Sequence, residues 1–156
     1  MFSYDDRYAI KIIPSRHKSS PAQVFDAALD KARKIRLRPG DEVWLVIDRD
    51  SWSDGQLKEV CAQCAQHQFC LAVSNPKFEY WLLLHFEDGT SISSAADCVR
   101  GLRKYMPDYH KSNLNVNKLR NGIGDAIDRA KSKDSPGREV PPVAGSTVYR
   151  LVERLL

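Results

Sequence analysis

An α/β fold with a parallel sheet is what the chain predicts, and three observations carry that reading. Val43 to Ile47 (VWLVI) is an unbroken apolar run of strand length. A strand without polar alternation fits a sheet covered by helices on both faces. On either side of it, apolar residues recur at helical spacing. A second apolar run, Phe69 to Val73 (FCLAV), then follows after one helix length, the rhythm of right-handed crossovers between parallel strands.

Taken in order, Tyr8 to Ile13 (YAIKII) has strand character, and Pro14 stops it. The loop SRHKSSP follows, with Ser20 or Ser19 placed to cap a helix and Pro21 in its first turn. Val24, Ala27, Ala28, Leu29, Ala32 and Ile35 recur at helical spacing until Pro39-Gly40 ends the helix. After the VWLVI strand, a second helix starts behind Ser53-Asp54 and runs to about His67. Beyond Val73 the character changes. SNPKFEYWLLLHF reads as a strand end, an Asx-type turn at Asn75-Pro76, and a strongly apolar helix. Ser91 to Tyr105 and Leu114 to about Lys131 predict two further helices. SKDSPGREVPPVAGS is a Pro/Gly-rich loop, and Ser146 to Leu156 forms a last helix with Val148, Leu151, Val152 and Leu155 on one face. The division is one domain over 1–156, with an α/β core at about 8–90 and a helical part at about 91–156.

A hydrophobic fraction of 42% beside 28% charged residues supplies a buried core and argues against disorder. No stretch reaches the roughly 20 apolar residues of a membrane span. MFSYDDRYAIK lacks the basic start and apolar run of a secretion signal, so the expectation is a cytoplasmic protein without a membrane partner. Cys61 and Cys64 form a CxxC, and His67 and Cys70 keep a zinc reading open. The plainer reading is that these cysteines are small apolar residues lining a helix and strand. The net charge of +4 is unevenly spread: residues 1–40 carry +5, 41–98 carry −7 and 99–156 carry +6. An acidic centre between basic flanks suits a metal-carboxylate site with a polyanion-binding rim, and equally suits ordinary solvated faces.

Ligands of open α/β sheets bind beyond the carboxyl ends of the strands. Trp44 to Asp50 (WLVIDRD) delivers Asp48 and Asp50 there, and the period of two along a strand turns both to one side. Two such carboxylates are unfavourable together unless a cation lies between them or one is protonated, and Mg²⁺ or Mn²⁺ suits hard oxygen ligands. Alternatively, Asp50 with Ser51 caps the next helix. Asn75 and Glu79 follow a parallel strand and belong at the same edge. The Glu79 carboxylate either joins the acidic cluster or satisfies the N–H groups of a helix first turn. Arg16, His17 and Lys18, in the loop after the first strand, suit a phosphate or form a solvated basic loop. Lys118, Arg120, Arg129, Lys131 and Lys133 could track a nucleic-acid backbone or simply form the polar face of a helix. His85, inside WLLLHF, reads as a hydrogen-bonded structural residue.

DEVWLVIDRD, LAVSNPKFEYWLLLHFED and the late GSTVYRLVERL together resemble the RloB-like family, a TOPRIM-type group found beside restriction and other phage-defence genes. The resemblance spans roughly residues 8 to 156, with SNPxFExWLLLHF its most specific mark. It implies a TOPRIM-like, Rossmann-type parallel sheet flanked by helices, with a helical C-terminal part. The implied activity is Mg²⁺-dependent cleavage of DNA or RNA in antiviral defence, with a companion defence ATPase as a further partner. Asp48 and Asp50 match the family's metal-binding DxD. With them, the expectation is that Glu79 and Asn75 complete or orient the acidic site, Glu79 as a catalytic residue and Asn75, like Arg16, His17 and Lys18, toward phosphate or nucleic acid. TOPRIM enzymes begin with an apolar strand ending in a Glu-Gly turn. No Glu-Gly dipeptide occurs in these 156 residues. The implication is a chain that begins late, or one that lacks the first glutamate-bearing strand and keeps the fold as a nucleic-acid- or partner-binding module. Phosphotransfer on the aspartate cluster, with Lys77 near a strand end, is a third reading.

Overall fold

The computed structural model describes residues 9–13, 20–50 and 52–156. Helix α1 (Pro21–Lys34) starts at Ser20, whose hydroxyl accepts the Gln23 N–H while the Gln23 side chain reaches back to the Ser20 N–H. Strand β1 (Trp44–Asp48) follows, and then α2 (Asp54–His67), which opens on a second reciprocal cap between Ser53 and Gln56. Gln68 in the left-handed conformation closes α2 and turns the chain into β2 (Cys70–Asn75). The short helix α3 (Phe78–Leu83) lies past the cis Asn75–Pro76 bond. Helices α4 (Ala95–Tyr105), α5 (Val116–Arg120) and α6 (Ile123–Lys133), the two-residue strand β3 (Gly145–Ser146) and α7 (Val148–Leu155) complete the order.

The sheet runs β1-β2-β3, with β1 parallel to β2 in the register Trp44 to Cys70 through Asp48 to Ser74. The expected all-parallel sheet is corrected at β3, which pairs antiparallel with the end of β2, Ser74 opposite Ser146 and Asn75 opposite Gly145. The fold is therefore mixed α/β. Side chains alternate across the strands. Leu45, Ile47, Leu71 and Val73 pack with Phe25, Ala28, Leu57 and Val60 of α1 and α2. Ala72 on the other face joins Tyr80, Leu83, Leu102, Ala126 and Val148 of the later helices.

That second helical layer explains one difference from the sequence expectation. VWLVI predicts burial on both faces, yet Val46 is 44% exposed, because the helices over this face seat on β2 and leave the middle of the edge strand uncovered. The predicted strand over residues 8–13 is also corrected. Residues 9–13 form no strand, and Ile10 and Ile12 are exposed, so no neighbour compensates the ordering of their backbone.

The predicted helix from Leu114 to Lys131 is two helices, broken at Asn121-Gly122. Gly122 passes so close to α3 that a Cβ there would lie 2.2 Å from the His85 carbonyl oxygen. Next to it, the Arg129 guanidinium donates to the Leu84 carbonyl at 2.7 Å. The last carbonyls of the α3 segment are thus satisfied by α6, which ties the helical part to the sheet layer.

His85 is structural, as the sequence suggests. Its Nδ1 faces the Trp81 carbonyl at 3.0 Å and so carries the proton, and its ring packs edge-on against the Trp81 indole. Burial holds the His85 imidazole below its ordinary pKa of 6.5. The unfolded chain therefore binds a proton that the folded chain resists, and stability falls as pH drops below about 6.5. Urea unfolding at pH 7.5 and pH 5.5 checks this. The stability lost between the two should be smaller in His85→Gln than in the native chain, and equal losses would refute the assignment.

Candidate functional site

The carboxyl ends of β1 and β2 are laced together by backbone bonds. Arg49 N–H donates to the Ser74 carbonyl at 2.9 Å and Asp50 N–H to the Pro76 carbonyl at 2.8 Å. This lacing brings the first residue of α3 under β1: Phe78 N–H donates to Asp48 Oδ1 at 2.7 Å. Behind it, β2 is clamped by the segment around β3. Thr147 Oγ1 accepts the Val73 N–H at 2.8 Å, and the Ser74 and Ser146 hydroxyls bond at 2.9 Å. The Asn75 amide donates to the Pro141 carbonyl at 2.8 Å, so Asn75 holds the Pro-rich loop.

One residue beyond Phe78, Glu79 is buried, with only 2% of its surface exposed. Its Oε1 accepts from the Tyr109 hydroxyl at 3.1 Å and lies 3.7 Å from the Lys111 ammonium. An ionised carboxylate at this depth requires compensation. Lys111 is 72% exposed, and so well-solvated an ammonium contributes little. Burial pushes the Asp48 carboxyl up; the Phe78 N–H pulls it back, the charge of Glu79 raises it again, Lys111 lowers it and Asp50 raises it. The Tyr109 hydroxyl is pushed up to about 12, chiefly by burial and then by Glu79. The Tyr109 hydroxyl therefore keeps its proton and donates the hydrogen bond to Glu79.

Asp48 and Glu79 thus meet at the edge expected from the sequence. Asp50 stands two residues beyond the end of β1 and is exposed. Its charge nonetheless acts on Asp48. The cap of α2 is Ser53, not Asp50 with Ser51. Arg16, His17 and Lys18 lie outside the described residues. Tyr109 and Lys111 were not singled out by sequence reasoning. They sit in a loop some thirty residues from Glu79 with no local pattern to mark them, although a lone Tyr-His-Lys in a basic segment was visible.

Among the described residues no three His, Cys, Asp or Glu side chains gather as a ready metal cluster. The donor chemistry of Asp48 and Glu79 still fits a hard cation. Each spends one oxygen on the protein, while Asp48 Oδ2 and Glu79 Oε2 have no hydrogen-bond partner among the described residues. The cysteines follow the plainer expectation. Cys61, Cys64 and Cys70 are free thiols lining a cavity of about 300 Å³ at the opposite end of the strands, and burial pushes Cys64 up to about 12. Of the basic residues considered for a nucleic-acid backbone, Arg129 is committed to Leu84 and Asp125, and Lys131 to Glu153.

Fold and site together define an α/β protein whose parallel strands end beside a part-buried pair of carboxylates. The chain belongs to the RloB-like protein family, whose family model matches residues 3–155. No curated protein and no solved structure matches it. Among the described residues no helix is long and apolar enough to cross a membrane.

Proposed function

We propose that this protein cleaves nucleic acid in a metal-dependent reaction, on a TOPRIM-like scaffold, as part of prokaryotic antiviral defence. The observation that carries the site is the pairing of buried Glu79 with half-buried Asp48, each with an uncommitted oxygen, and with the solvated Lys111 as the one cation bonded to the pair among the described residues. Asp48 and Glu79 would hold Mg²⁺ or Mn²⁺, with Asp50 contributing charge at the rim. When bound, the ion supplies Lewis-acid polarisation of a phosphoryl oxygen and a nucleophilic water. The chain's own groups orient that centre. Phe78 N–H fixes Asp48, Tyr109 fixes Glu79 and keeps its proton, and Lys111 is free to move toward a phosphate once Glu79 is otherwise compensated. Arg16, His17 and Lys18 belong to the phosphate rim in this reading. The defence setting and a companion ATPase rest on the family resemblance alone.

A second reading has a specific observation behind it. Glu79 is already bonded to Tyr109 and Lys111, and no third carboxylate closes a metal cluster among the described residues. A module that keeps the fold and binds nucleic acid without cutting it would look the same. Incubation with plasmid DNA, single-stranded DNA and RNA, with Mg²⁺, Mn²⁺ or EDTA, separates the two. Cleavage that EDTA abolishes is the expected result. Salt-dependent binding with no metal-dependent cleavage of any substrate would replace the nuclease reading with the module.

A further inference from the structure

A cavity of about 260 Å³ opens beside the acidic pair, lined by Met106, Asp108, Tyr109, Asn113, Asn115 and Lys118. Tyr109 belongs to both places: it lines the cavity, and its hydroxyl reaches Glu79 at 3.1 Å. The cavity and Glu79 therefore share this residue. The polar lining is uncommitted, because the side chains of Asp108, Asn113, Asn115 and Lys118 make no hydrogen bond or ion pair with any described residue. Asn115 precedes α5 yet does not cap it. The lining thus offers both donors (Lys118, two amide NH₂ groups) and acceptors (Asp108, two amide oxygens) beside the aromatic Tyr109 and the buried Met106.

We infer that this cavity is a nucleobase-binding subsite. A base needs a flat apolar surface to stack on and a mixed donor and acceptor edge to pair with, and unstacked bases are recognised in this way. A purely acidic or basic lining would suit an ion, and a dry one a lipid or apolar peptide. This lining is neither. A base held against Tyr109 places its own sugar and phosphate toward Asp48 and Glu79, about one side-chain length away. The base comes either from a free nucleotide or from an unpaired position of a nucleic-acid strand. The orientation of the phosphate rests on the reading of the acidic pair as a phosphodiester site; the base subsite itself does not.

The chain contains two methionines, Met1 and Met106, so the Met106 methyl resonance is a single-residue reporter for the cavity. The test titrates the full chain with each of the four 5′-mononucleotides and with ribose 5-phosphate, without metal. The expected result is a saturable shift of the Met106 methyl by nucleotides, which ribose 5-phosphate does not produce. Asn113→Ala/Asn115→Ala alters only exposed side chains, and circular dichroism reports whether its helices persist. It should weaken nucleotide binding about tenfold, equivalent to about 1.4 kcal/mol. A Met106 shift equally produced by ribose 5-phosphate, or unchanged affinity in the folded double variant, would overturn the proposal. A short single-stranded oligonucleotide binding far more tightly than any mononucleotide assigns the subsite to a strand, and the reverse order assigns it to a free nucleotide. Absence of cleavage would leave the Met106 result standing, so failure of the nuclease reading and failure of the subsite are separately visible.

Discussion

In Asp48→Asn, Mg²⁺-dependent cleavage of nucleic acid is expected to fall on the order of 10³-fold, corresponding to about 4 kcal/mol of barrier. The amide keeps the shape of the aspartate and an oxygen for the Phe78 N–H bond of 2.7 Å, so the lacing between β1 and α3 survives. What disappears is the anionic charge. The same substitution should leave unfolding in urea unchanged or shift it to slightly higher concentration. Burial and the neighbouring Glu79 charge already disfavour the ionised form of Asp48, and a neutral isostere relieves that cost. The combination of lost turnover and retained stability separates a functional carboxylate from a structural one. A variant that cuts plasmid, single-stranded DNA and RNA at the native rate would remove Asp48 from the site. A variant that loses activity and stability together would make it a structural residue.

The cost of burying Glu79 points the same way. A carboxylate 2% exposed, with one neutral donor and one solvated ammonium as partners, is not what stability alone would retain. Methionine or leucine would fill the space with less penalty. In the proposed reading, a bound cation would supply the positive charge that Glu79 lacks. The SNPKFEYWLLLHF segment carries both Phe78 and Glu79 to the neighbourhood of Asp48.

Much of this arrangement was legible in the sequence because its signals are local. Ser20 with Pro21 and Ser53 with Asp54 mark two helix starts, and α2 runs from Asp54 to His67 as its pattern indicates. VWLVI and FCLAV locate the two parallel strands, and their carboxyl ends locate Asp48 and Glu79. The rest depends on contacts far apart in the chain. Strand β3 is two residues held by Ser146 and Thr147 hydroxyls against β2, with no hydrophobic period to announce it. Exposure of Val46 depends on which helices cover its face, and the strand expected at 8–13 finds no such cover over 9–13. Tyr109 and Lys111 acquire meaning only when their loop folds over Glu79. The division of the expected Leu114–Lys131 helix was invisible for the same reason, since an Asn-Gly pair inside a helical pattern does not state which backbone it must approach.

That helix break yields the largest expected effect on stability. Gly122→Ala would set a methyl 2.2 Å from the His85 carbonyl oxygen, with the His85 carbonyl and α carbons about as tight, at 3.0 and 3.1 Å. The obstructing atoms are backbone, so no rotamer change relieves them. Either α6 moves off α3 or the end of α3 deforms, and both loosen the Arg129 bond to the Leu84 carbonyl. Overpacking of this kind costs about 3 kcal/mol, roughly 10 °C in Tm for a chain of this size. Gly124→Ala is the internal comparison. It lies two residues on, within α6, nothing stands within 4 Å of the added methyl, and the exchange should instead stabilise by about 0.5–1 kcal/mol. Thermal unfolding of the two variants side by side checks the argument. Gly122 is the N-cap of α6, where alanine in place of glycine costs about 1 kcal/mol by itself, so a loss well beyond that in Gly122→Ala isolates the approach to His85. Equal Tm changes at the two glycines would mean that α6 does not dock on α3 as described.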